Sequence, residues 1–242
     1  MRGGRRGGAV VAAAVLAGAL ATGCGPSATP GGDDAGRGTP TAPPTPKGPV
    51  RIVESLAPDG TTVRVGSPAA KTVVTVYEDL RCPVCEEFET QGGAGALRGM
   101  VRSGEVRVEY TLASFLDARL GGHGSERAAN ALRAALDAGR FAEYHDVLYA
   151  HQPEESVDGY TDAYLLKLAG QVKGLRGKEF DAAVKGMKYR GFVTASERAF
   201  DTSGATGTPT MKVNGRIVDD WLAGGLFDAG MLPTVIRTMA ED

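Results

Sequence analysis

The chain has 242 residues with 27 Lys and Arg against 29 Asp and Glu, so it is nearly neutral and carries no electrostatic footprint for nucleic acid. The charge is unevenly placed: residues 50–242 hold 22 basic and 27 acidic groups, a mildly acidic body long enough to bury a sizeable core. Three cysteines exclude a disulfide-dense scaffold.

Arg2, Arg5 and Arg6 precede an apolar run from Ala9 to Ala21, which meets Thr22 and Gly23 before Cys24. This is the three-part layout of an export signal, and 13 apolar residues are too few to cross a hydrocarbon core of about 30 Å as a helix. Leu20-Ala-Thr-Gly-Cys24 resembles a bacterial lipobox, which would make Cys24 the acylated N-terminus of a lipoprotein; Ala21-Thr22-Gly23 equally fits an ordinary signal-peptidase site. Acylation would remove the unpaired third cysteine of an exported protein. Between Gly25 and Pro49, 13 of 25 residues are Pro or Gly with no large apolar side chain, which predicts a disordered tether over 25–49.

Strand patterns follow over Arg51–Leu56 and Thr61–Val65, joined through the turn signal Pro58-Asp59-Gly60, and again over Thr72–Tyr77. The last of these runs into Cys82-Pro83-Val84-Cys85 and then Glu86, Glu87, Phe88 and Glu89, which suit an early helical turn. Cys82 is thus expected at a helix start, where free backbone N–H groups favour its thiolate and make it the nucleophile. Cys85, three residues on, lies on the same face and within reach of a disulfide. Zinc would need two more ligands, and Cys24, His123, His145 and His151 stand in none of the paired spacings, so no metal is expected. A bond closing so short a loop constrains the unfolded chain little, which argues against a purely structural disulfide.

Gly92, Gly93 and Gly95 predict an interruption of that helix near 91–96, and Glu105–Leu112 reads as a further strand. From Ser125 to about Phe200 the periodicity is helical, with the aromatic residues of 141–164 as a core stripe, His145 as a packing or surface residue, and Thr194-Ala-Ser-Glu197 in capping-box form. Thr210–Val213 and Arg216–Val218 flank an Asn214-Gly215 hairpin, and a last helix is expected over Leu232–Ala240. The order predicts an α/β sheet interrupted by a helical block at about 120–200.

Val65-Gly-Ser-Pro68, Asp79-Leu-Arg-Cys-Pro-Val-Cys85, Phe141-Ala-Glu-Tyr-His-Asp-Val-Leu148 and Gly207-Thr-Pro-Thr210 together resemble the DsbA-like branch of the thioredoxin superfamily, in its bacterial form with a helical insertion. The resemblance covers most of residues 50–242. It implies a thioredoxin-like fold, a cis Pro209 with Thr208 facing Cys82, and a substrate groove shaped by Thr208 and Pro209 with Pro83 and Val84 beside it. It also implies protein thiol–disulfide exchange with Cys82 and Cys85 catalytic, no organic cofactor, exported cysteine-containing proteins as partners, and a membrane reoxidase. The chain departs from the family at two places. Val84 stands where the strongest oxidants have histidine, which implies a less oxidising pair. The family's buried carboxylate falls at Val76, so no proton acceptor for Cys85 is evident; Glu78 and Asp79 are the nearby acids, with Asp79 expected to cap the turn. The reading is an exported, lipid-anchored oxidase, with a reductase or isomerase, or a non-enzymatic binding lipoprotein, as alternatives.

Overall fold

The computed structural model describes residues 50–241; the signal, tether and Cys24 expectations lie outside them. Six strands form one sheet in the order β1-β2-β4-β3-β5-β6: β1 (Val53–Leu56), β2 (Val63–Gly66), β3 (Thr72–Asp79), β4 (Val106–Ala113), β5 (Thr210–Val213) and β6 (Arg216–Ile217). Only β3 and β4 run parallel, with Val74 opposite Val108 and Val76 opposite Tyr110, and the other neighbours are antiparallel. A parallel pair needs a crossover, and α1 (Pro83–Thr90) with α2 (Ala94–Ser103) supplies it. Val74, Val76, Val106 and Val108 are fully buried at the centre of the sheet, as β-branched residues covered on both faces should be.

The expected helix interruption falls between α1 and α2. A Cβ on Gly93 would stand 2.3 Å from the Leu226 carbonyl oxygen, so only glycine lets the chain pass under the 3-10 turn Gly224–Phe227. At the far edge, Asn214 and Gly215 both take positive φ, 49° and 85°, as the tight hairpin requires. Asn214 Oδ1 accepts from the Val73 amide at 2.9 Å and so pins the hairpin to β3.

Between β4 and β5 the chain forms α3 (Phe115–Leu120), α4 (Gly124–Asp137), α5 (Phe141–Ala150), α6 (Asp162–Ala169), α7 (Lys178–Lys185) and α8 (Arg190–Asp201). The helical block therefore begins earlier than its periodicity suggests. The reason is tertiary: the Leu116 amide at the start of α3 donates to Asp79 Oδ2 at 3.2 Å, a cap supplied from the end of β3. Helix α5 is likewise capped from the sheet, the Phe141 and Ala142 amides donating to the Glu54 carboxylate of β1 at 2.8 and 3.0 Å.

Thr194-Ala-Ser-Glu197 is not a capping box. It lies inside α8, whose N-cap is Tyr189, and its polar groups serve β4 instead: the Leu112 amide donates to Ser196 Oγ at 3.1 Å, and the Ser114 amide donates to Glu197. Two short elements escape the sequence patterns, α9 (Asp220–Ala223) and the 3-10 turn after it; α10 (Leu232–Glu241) closes the chain over α2. Among the described residues no helix is long and apolar enough to cross a membrane.

Candidate active site

The site is built where β3 ends. Asp79 Oδ1 accepts from the Arg81 amide at 2.9 Å, and the Asp79 carbonyl accepts from the Cys82 amide at 3.0 Å, so the side chain and backbone of one residue turn the chain into α1. Ser125 Oγ adds a bond to Asp79 at 2.6 Å. Burial pushes the Asp79 carboxyl up to about 7 against these donors, with the nearby Asp117 charge adding to the rise.

Arg81, immediately before the first cysteine, points inward. Its guanidinium donates to Asp117 Oδ1 at 2.7 Å, the Gly121 carbonyl at 2.8 Å and the Glu155 carbonyl at 2.9 Å, all within the helical insertion. The start of α1 is thereby fastened to two insertion segments. Nothing in the helical periodicity identifies Arg81 or Asp117 as buried partners.

Cys82 is the N-cap of α1, extended at φ −74° and ψ 118°, with Pro83 in the first helical position where its missing N–H costs nothing. Its thiol donates to the Thr208 carbonyl at 3.2 Å. A hydrogen bond from the Cys85 thiol lowers the Cys82 pKa to about 6, against the cost of burial and with help from Thr208 and from the Cys85 and Val84 amides. Cys85 shifts the other way: burial, the hydrogen bond to Cys82, and the Cys82 and Glu78 charges push it well above its ordinary value. Cys82 is 7% exposed and Cys85 fully buried, both as free thiols. The two thiols are thus chemically unequal.

Pro83 and Val84 are exposed at the mouth, Val84 at 44%, and the Thr208–Pro209 peptide bond is cis. The structure thus brings Cys82, Cys85, Pro83, Val84, Thr208 and Pro209 together.

Val76 is a buried core residue, but Glu78 follows it by two positions and so lies on the same face of β3. Glu78 is one of the two nearby acids of the sequence, and its charge helps to raise the Cys85 thiol. His145 packs in the core as expected, among the rings of Tyr110, Phe141 and Tyr149, and its Nε2 also stands 2.6 Å from Glu78 Oε1 with both side chains buried. Glu78, Glu89 and His145 offer ligand atoms within 4.8 Å of one another, the one such group found among the described residues. Ligands held about 2.0 to 2.2 Å from a tetrahedral zinc would stand roughly 3.3 to 3.6 Å apart. The 2.6 Å His145–Glu78 separation is that of a short, charge-assisted hydrogen bond.

The family model described as Thioredoxin matches residues 58–223, which include both cysteines and the Thr208–Pro209 loop. The chain belongs to the thioredoxin family. Within it the chain is of the DsbA-like kind. It superposes on the reduced disulfide bond oxidoreductase DsbG of Mycobacterium tuberculosis with a TM-score of 0.60 and 27% identity, over 81% of this chain and 90% of that one. MdbA, a thiol-disulfide oxidoreductase of Corynebacterium diphtheriae, shares the fold at 20% identity and a TM-score of 0.59, over 72% and 91% of the two chains. Among curated proteins, the Na(+)/H(+) antiporter NhaA 3 of Salinispora tropica is 32% identical over 174 residues, 70% of this chain. The chain spans about a quarter of that relative's length, 24%.

Proposed function

We propose that this DsbA-like chain is a thiol–disulfide oxidoreductase that exchanges disulfides with exported proteins through Cys82 and Cys85, acting as an oxidase on the outer face of the cell membrane. The observation that carries the reading is the inequality of the two thiols, one lowered to about 6 and the other raised. In the oxidising direction a substrate thiolate attacks Cys82 of the Cys82–Cys85 disulfide, the Cys82–Cys85 bond breaks, and Cys85 leaves with the electron pair and takes up a proton. A second substrate thiolate then attacks the substrate sulfur of the mixed disulfide and expels Cys82, for which a pKa near 6 makes a good leaving group. The substrate gains a disulfide, and the protein is left with two thiols that a membrane reoxidase must restore. Thr208, Pro209, Pro83 and Val84 form the substrate-facing rim. Cys24, if acylated, tethers the domain through residues 25–49.

Incubation of the oxidised protein with a reduced two-cysteine peptide tests the reading. One peptide disulfide should appear for each pair of protein thiols formed, and failure of transfer would leave a binding module. Substituting Cys24→Ser should move the full chain out of the lipid fraction; unchanged partitioning contradicts the anchor. The exposed Val84, which offers no charge to the Cys82 thiolate, favours a reductase or isomerase as the second reading. A reduction potential in the range of cytosolic reductants would support it.

A further inference from the structure

Under Cys85 lies a group of ionisable side chains that the exchange of two sulfurs does not by itself require. Glu78 is the penultimate residue of β3, Glu89 sits on α1 and His145 on α5, at 1%, 5% and 2% exposure. Glu89 is four residues after Cys85 and so shares its inward face of α1. Glu89 Oε2 accepts from Arg98 Nη1 at 2.9 Å, and that same nitrogen reaches Asp146 Oδ1 at 3.3 Å. Asp146 is 48% exposed, and its Oδ1 lies 4.0 Å from His145 Nδ1. Ionisable groups therefore run from a sealed thiol to the surface.

Burying three such groups costs more than burying apolar residues of similar size, and Val76 on the same face shows that the sheet accommodates an apolar residue there. Two oxygens of the group, Glu78 Oε2 and Glu89 Oε1, are buried without a hydrogen-bond partner and are free to take a proton. Burial lifts the Glu89 carboxyl to about 7 despite the opposing charge of His145. Burial would lower His145, but the charge and hydrogen bond of Glu78 hold it well above its ordinary value. The remaining polar groups facing His145 are Tyr110 of β4 and Tyr149 of α5, with ring centroids at 5.0 and 4.9 Å. Burial pushes both phenols up, so they stay neutral and do not compete for the proton.

The geometry points to a proton relay in which Glu78, His145 and Glu89 connect Cys85 to solvent at Asp146, so that a helix of the insertion takes part in the chemistry of the sheet domain. The inference rests on the exchange activity proposed above. When Cys85 resolves a mixed disulfide, its S–H proton passes to Glu78 Oε2 as the sulfur attacks Cys82. The Cys82–Cys85 bond forms, the bond from Cys82 to the partner sulfur breaks, and the partner leaves as a thiolate. His145 and Glu89 then carry the proton to the Arg98–Asp146 edge. In the oxidising direction the same groups return a proton to Cys85 as it leaves.

An aromatic disulfide such as Ellman's reagent separates the two readings. The reduced protein should release chromophore twice, first as Cys82 attacks and then as Cys85 resolves, while Cys85→Ser shows the first release alone. Absence of both releases would refute the exchange reading itself. In His145→Gln and in Glu89→Gln the ratio of second-phase to first-phase rate at pH 7 should fall roughly tenfold to hundredfold, and the second phase should recover as the pH rises. Asp146→Asn, on the surface, should lower the ratio less. A folded His145→Gln or Glu89→Gln protein with the wild-type ratio and pH profile would overturn the relay; if His145→Gln does not fold, Glu89→Gln decides. A second phase abolished by a chelator and restored by zinc would also overturn it, in favour of a metal on the same residues.

Discussion

The sulfur of Cys82 lies 3.2 Å from the carbonyl oxygen of Thr208, 126 positions away in the chain. A carbonyl accepts from the thiol but repels the thiolate, so this contact cannot by itself account for the lowered pKa. The buried Thr208 hydroxyl has no other hydrogen-bond partner, and as a donor toward the sulfur it favours the ionised form. Thr208 therefore addresses both protonation states of one sulfur.

Alkylation of Cys82 by iodoacetamide should accordingly follow a titration with a midpoint of about 6, rising with pH as the thiolate forms. Thr208→Val keeps the carbonyl and removes the hydroxyl, and should move the midpoint upward by up to about one unit. Val84→His should move it downward and make the disulfide more oxidising, because an imidazolium beside the helix start stabilises the thiolate. Rate profiles, with redox equilibria against glutathione, check all three. A midpoint at the ordinary cysteine value would contradict the assignment.

Arg81→Met should destabilise the fold by about 3 to 5 kcal/mol, since it leaves the Asp117 carboxylate buried without its cation and strips donors from Gly121 and Glu155. Urea unfolding gives the number. Because Arg81 joins α1 to the insertion, redox exchange should suffer with it; a loss below about 1 kcal/mol would show that the pair contributes no more than a surface bridge.

Stability should rise as the pH falls from about 7 toward 5, opposite to ordinary acid destabilisation. Asp79 and Glu89 titrate near 7 in the fold against ordinary values of 3.8 and 4.5, so in this window the folded protein holds protons that the unfolded chain releases. His145, also raised, acts in the same direction above its ordinary value of 6.5. The depressed carboxyls Asp59, Asp137, Asp146, Asp158 and Asp181 lose their contribution only below about pH 4, outside the window. Measured on the disulfide form, which removes the Cys82 titration, the gain should be about 1 to 3 kcal/mol, seen as a higher melting temperature. Glu89→Gln should flatten the slope.

The strands and the helix opened by Cys82 were legible because their signals are local: β-branched runs, a Pro-Asp-Gly turn, Asn-Gly, and glycines that break a helix. What the sequence hid was supplied from a distance. The cap of α3 comes from Asp79 and that of α5 from Glu54, so neither helix start shows a side-chain cap of its own. Ser196 and Glu197 mimic a capping box but answer amides at the end of β4, a role that no pattern within α8 reveals. A fixed offset from the first cysteine lands on Val76, whereas Glu78, two residues along the strand and on the same face, is the acid whose charge reaches Cys85. The helical stripe places His145 in the core, but cannot show that the strand residue it meets is Glu78.

Cys82 and Cys85 divide the labour of exchange, and trapping mixed disulfides with each cysteine replaced by serine in turn makes that division visible. Cys85→Ser keeps the reactive sulfur and deletes the internal resolving thiol, so disulfide-linked complexes with exported proteins should accumulate on a non-reducing gel and disappear on reduction. Cys82→Ser retains only the fully buried, raised thiol and should trap far fewer. Equal trapping by the two variants, or none by either, would contradict that division.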